Sequence, residues 1–257
     1  MKKKAKQRKQ KKSKLINNNS TARLLIWISI FSITACIIVR EYYYANTIGN
    51  IEEHQRAYKK TKEIIHQKRL SFEQEWVSSP HKHNYLQKSA KACLYQYLTD
   101  SIFPYWYGTP WDFNGTSQKP LQGQIACGYF VTTTLSHLEF YLPRVKMAQQ
   151  AASKIIRSLC SDIKTFNKIN LLKKHIDKHK QGIFIVGLDT HVGFLWQSPE
   201  GLYFVHSSYS GNKQVSKEKW NISTVLNKSK LFVVGNLLDN SRIIKTWIMG
   251  ENIKISK

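Results

Sequence analysis

From Leu24 to Val39 no charged residue interrupts the chain. Sixteen residues at helical rise span roughly 24 Å, short of the ~30 Å hydrocarbon core of a bilayer. Tyr42, Tyr43 and Tyr44 lengthen the segment as an interfacial belt, and Trp27 marks its other side. The pattern predicts a transmembrane anchor over 24–44. Over 45–80 charges dominate, with Ile51, Tyr58, Ile64, Ile65 and Phe72 as sparse apolar positions. That spacing predicts a helical stalk, broken at Ser78-Ser79-Pro80. From 81 to 257 the apolar positions are dense enough for a folded domain. Helical spacing runs over Tyr85–Ile102, with Leu86, Ala90, Leu94 and Leu98 on one face, and again over Cys127–Phe140 and Val145–Leu159. Short β-type runs follow at Gly182–Gly187, His191–Trp196, Leu202–Ser207 and Phe232–Val234. Helices first and an antiparallel meander second is an α+β arrangement, helices packed on an antiparallel sheet.

Charge alters the picture at the N-terminus. The net charge is +24, and residues 1–23 carry ten Lys or Arg and no acid, so the rest of the chain carries +14. A basic arm for nucleic acid is one reading of this tail. The apolar segment directly behind it favours another: a disordered cytoplasmic tail before an uncleaved single-pass anchor, with the domain outside the cytoplasm. No nucleic-acid partner is expected.

The chemistry sits in three places. Cys127 opens a predicted helix, where unpaired amide donors and the helix dipole favour a thiolate and can receive an oxyanion. His191 and His206 fall on two successive predicted strands. One cysteine followed by two histidines suits covalent thiol catalysis: Cys127 attacks, His191 moves the proton, and a third polar group orients His191. That third group is His206 or Asp189; the latter, two residues from His191, would share its strand face. Cys93 and Cys160 either pair or stay as buried thiols. No convincing metal spacing appears, and no cofactor is expected. His175 and His179, four apart in a Lys-rich helix, read as surface residues.

Six segments resemble, in order, the NlpC/P60 family of cell-wall cysteine peptidases. They are Pro104-Tyr105-Trp106-Tyr107-Gly108, Cys127-Gly128-Tyr129-Phe130-Val131, Leu142-Pro143-Arg144 with Gln149, Gly182-Ile183-Phe184-Ile185, His191-Val192-Gly193-Phe194 and Phe204-Val205-His206-Ser207-Ser208. The resemblance implies a papain-like core, a Cys127-His191-His206 triad, and hydrolysis of peptide bonds in peptidoglycan stem peptides. It also implies that Tyr105 binds substrate or polarises its carbonyl. Ala126 and Gly128 depart from the family's Asp and Ser on either side of the nucleophile. The loop from Trp111 to Gln118 is longer than the family's, and Trp111 is a candidate groove residue. Two other functions stay open at this point: a non-catalytic wall-binding module, and a thiol acyltransferase on the same fold.

Overall fold

The computed structural model describes residues 49–256. The tail over 1–23 and the anchor over 24–44 lie outside the described residues. The chain divides between Glu53 and His54. Of the first unit only 49–53 are described, and they are helical. No helix among the described residues is long and apolar enough to cross a membrane.

The second unit opens with a helix, α1, over 54–78. Tyr58, Ile65, Phe72 and Trp76 recur on one face, and all four are buried in the main core. The predicted stalk is therefore, from His54 on, part of the folded body. Its apolar positions are sparse because only one narrow stripe is covered. The chain turns at Ser79-Pro80, where the His83 ring stacks on Trp76 at 3.7 Å.

Helix α2 (His83–Gln96) buries Leu86, Ala90 and Leu94. It runs through a wide π-helical segment, Tyr97–Ile102, into α3 (Phe103–Trp106). Pro104 has no N–H to give the preceding turn and its ring crowds the carbonyl four residues back, which accounts for the widening there. The Pro104 end of the expected loop is thus helical. Next come α4 (Cys127–His137), α5 (Arg144–Ala148) and α6 (Ala152–Leu159). The single helix expected over Val145–Leu159 is two, because Ala151 is extended (ψ 141°).

The sheet has six antiparallel strands in the order β1-β6-β2-β3-β4-β5. Their ranges are β1 Ser161–Phe166, β2 Gly182–Gly187, β3 Val192–Ser198, β4 Gly201–Ser207, β5 Val215–Lys219 and β6 Phe232–Asn236. Three further helices, α7 (Ile169–Ile176), α8 (Thr224–Lys228) and α9 (Ser241–Ile248), complete the unit. The expected α+β class holds. Ile183 and Ile185 of β2 enter the main core, while Phe184 and Val186 enter a second core with Leu172 and Ile176 of α7 and Leu226 of α8. Helices cover both faces, so the central strand β2 is buried along its whole length.

Candidate active site

Helix α4 begins at Cys127 without a side-chain cap. Ala126 is extended (ψ 161°), and only its carbonyl joins the helix, accepting from Phe130 N at 2.8 Å. The first amides of the helix lack a side-chain cap, and the backbone N–H groups of Val192, Gly128 and Cys127 favour a charged sulfur. Burial nevertheless dominates and pushes the thiol above its ordinary range, with those donors opposing it. The donors at the helix start thus soften the cost of a thiolate without making it the resting form.

Gly128 is held small by its surroundings. A Cβ there would overlap the carbonyl oxygen of Ala148, the last residue of α5. Where the resembling family carries Ser, this chain brings backbone to within van der Waals range. Arg144 secures the same corner: its Nε donates to Thr133 Oγ1 at 2.8 Å and its guanidinium to Thr116 O at 2.6 Å, tying the 109–126 loop to α4.

Cys127 and His191 line one cavity of about 380 Å³. Its walls are the break between α5 and α6 (Ala148, Gln150, Ala151), the β2–β3 turn (Asp189, Thr190), and Leu231 with Val233. The break in the expected long helix thus forms one wall of the cleft. The thiol and the His191 imidazole are not hydrogen-bonded to one another in this arrangement, a common state of thiol–imidazole pairs without substrate.

His191 precedes β3 rather than lying in it, on a turn closed by Leu188 N donating to His191 O at 2.8 Å. Its Nε2 is 2.8 Å from His206 Nδ1, with the rings edge to face. His206 is fully buried on β4 and stacks on Phe204, 4.0 Å between centroids. The pair fits because residue 193 is glycine. A Cβ on Gly193 would come within 2.7 Å of the Phe204 ring and 2.8 Å of His206 Cβ. Burial, and then the neighbouring His206, bring the pKa of His191 down to about 3. Burial also lowers His206, against the pull of Glu218. At neutral pH both rings are uncharged.

Asp189, the other candidate orienter, points elsewhere. Its Oδ2 accepts from Lys230 N at 2.8 Å. The two-residue rule that would align it with His191 needs a continuous strand, and here the chain is turning. Tyr105 is also placed away from the cleft. Its ring packs 4.9 Å from both His54 and Tyr58 of α1, and its hydroxyl accepts from Thr61 at 3.4 Å. Tyr105 is not among the residues that line the Cys127–His191 cavity. Trp111 lies 6.2 Å from Tyr209, whose ring meets the His191 ring edge-on at 5.2 Å. Tyr209 flanks His191 and Trp111 packs behind it; Tyr209 carried no signal in the sequence beyond its nearness to His206.

The residue most clearly missed is Glu218. On β5, Ser216 pairs with His206 and Glu218 with Phe204, so all four side chains share one sheet face. Glu218 Oε1 is 3.3 Å from His206 Nε2, an ion-pair distance off the line of a good hydrogen bond, and accepts from Ser216 Oγ at 3.1 Å. Burial alone would raise the Glu218 carboxyl; its interactions with His206, Ser223 and Ser216 outweigh it and hold the pKa at about 2.

Among the described residues no cluster of His, Cys, Asp and Glu suited to a metal ion occurs. Cys93 and Cys160 are both free, and burial raises each thiol. His175 and His179 face Asp162 at 3.5 Å and Asp239 at 3.6 Å, with His175 buried rather than on the surface. Comparison of the chain with family models, with curated proteins and with solved structures yields no match.

Proposed function

We propose that this chain is a cysteine hydrolase of the NlpC/P60 kind, acting on peptide bonds of peptidoglycan stem peptides. In this reading residues 24–44 hold it in the membrane with its domain outside the cytoplasm. The observation that carries the proposal is one cleft holding Cys127 at an uncapped helix start and His191 backed by His206. The ordered sequence segments supply the substrate class.

The chemistry runs from neutral partners. With the thiol raised and His191 lowered, proton transfer accompanies attack rather than preceding it. The Cys127 sulfur attacks the carbonyl carbon, and its proton passes to the His191 nitrogen not engaged with His206. The oxyanion faces the amides of Gly128 and Val192. As the amine leaves, it takes the proton from His191 and a thioester remains on Cys127. Water, deprotonated by His191, then releases the acid.

The test is release of stem-peptide fragments from isolated peptidoglycan. Full-length protein should release them, and Cys127→Ala should abolish release while the fold persists. Undiminished release by Cys127→Ala would refute the nucleophile assignment.

A further inference from the structure

We infer that Glu218 is a positioning residue that sets the tautomer of both histidines, so that the nitrogen of His191 left for the thiol is the unprotonated one. This deepens, and rests on, the hydrolase reading above. A neutral imidazole carries one N–H and one lone pair. An ionised carboxylate only accepts. Glu218 faces His206 Nε2 at 3.3 Å, so the favoured proton position on His206 is Nε2. That leaves His206 Nδ1 as an acceptor. The 2.8 Å contact between His206 Nδ1 and His191 Nε2 then requires the hydrogen on His191 Nε2. His191 Nδ1 is consequently bare and able to take the proton of Cys127.

Removing the carboxylate frees the opposite arrangement. With His206 protonated on Nδ1, the same contact is satisfied by His206 donating to a bare His191 Nε2. The hydrogen of His191 then sits on Nδ1, where it blocks the thiol. The geometry of the two rings is the same in both cases, and only the carboxylate distinguishes them. The carboxylate is itself fixed: the Ser216 hydroxyl donates to the same oxygen at 3.1 Å, and a hydrogen bond with Ser223 holds it further. Phe204, stacked on His206, closes the face of that ring. Among the described residues Glu218 is the acid that faces His206, while Asp189 accepts from Lys230 N.

The test reads tautomers directly. Full-length protein labelled with ¹⁵N-histidine is measured by long-range nitrogen–proton NMR at neutral pH, with His191→Gln and His206→Gln supplying the assignments. The expected result is a hydrogen on Nε2 in both rings. In Glu218→Met, which keeps the volume and removes the acceptor, the His191 signal should move toward the Nδ1–H form. Turnover should fall roughly 10–100-fold, chiefly in kcat, as for loss of an orienting outer residue. Glu218→Asp should restore part of both. A hydrogen on Nδ1 of His206 in the unaltered protein overturns the inference at once, with no variant needed. So does an unchanged His191 tautomer in folded Glu218→Met. Because the readout does not depend on turnover, a tautomer shift in a protein that hydrolyses nothing would leave the role of Glu218 standing and remove the hydrolase reading.

Discussion

At Gly128, beside Cys127, the chain has no room for even a methyl. The carbonyl of Ala148 occupies the space a side chain would need. Gly128→Ser, which would make the chain look more like the NlpC/P60 pattern, should therefore damage it. Overpacking of this kind costs about 1–3 kcal/mol, and here the neighbour that must move is backbone next to Cys127. Chemical denaturation should show the midpoint lowered, with activity lost beyond what stability explains. A Gly128→Ser protein as stable and active as the parent would mean that the α4–α5 contact yields easily. Gly193 is a second such residue, left bare so that the rings of Phe204 and His206 can lie against β3.

Among the elements, α1 shows how burial can hide in a charged sequence. Tyr58, with its hydroxyl 2.8 Å from both His137 Nδ1 and Trp106 Nε1, and fully buried Ile65 tie the helix into the core behind α4. Ile65→Ala should cost about 2–5 kcal/mol, the range for truncating a buried aliphatic side chain. A chain beginning at residue 81, where the sequence suggests the domain starts, should fail to fold, whereas one beginning at 54 should give a cooperative thermal transition. Cooperative melting of the 81–257 piece would show α1 to be dispensable. The same logic explains what was legible along the chain. The strands β2, β3, β4 and β6 are interior to the sheet and read plainly as apolar runs. The strands β1 and β5 are its edges, with sequences Ser-Asp-Ile-Lys-Thr-Phe and Val-Ser-Lys-Glu-Lys. Edge strands are polar and show little periodicity. Glu218 went unseen because it lies in that charged run. Cys127, His191 and His206 could be read from the sequence because each sits beside an apolar element with a clear period. The motif fixes the position of Tyr105 in the sequence but not which neighbours it meets, and on the turn of α3 those are His54 and Tyr58.

For the whole molecule, buried neutral imidazoles make stability sensitive to acid. Burial, reinforced by the charges of Lys62 and Arg144, lowers His137 to about 3, and His191 is likewise held at about 3. In the unfolded chain these rings titrate near 6.5. Below that pH the unfolded state binds the additional protons, so stability is full above about 6.5 and declines as pH falls toward 3. Glu218 adds to the loss only below its ordinary range of about 4.5, down to about 2. Denaturant midpoints measured from pH 7 to 4 should fall, with a slope approaching two to three protons for His137, His191 and His206. His137→Gln should reduce that slope by about one proton. A midpoint flat from pH 7 to 5 would contradict the neutral burial of these rings. The central claim, that Cys127 is the nucleophile of this fold, is tested most directly by trapping its intermediate. Full-length protein is mixed with a stem-peptide ester, quenched in acid within the first turnover and mapped by mass spectrometry. The account predicts a thioester on Cys127 alone, absent from Cys93 and Cys160 and lost in His191→Ala. Turnover with no adduct on Cys127, or an adduct on another residue, would contradict it.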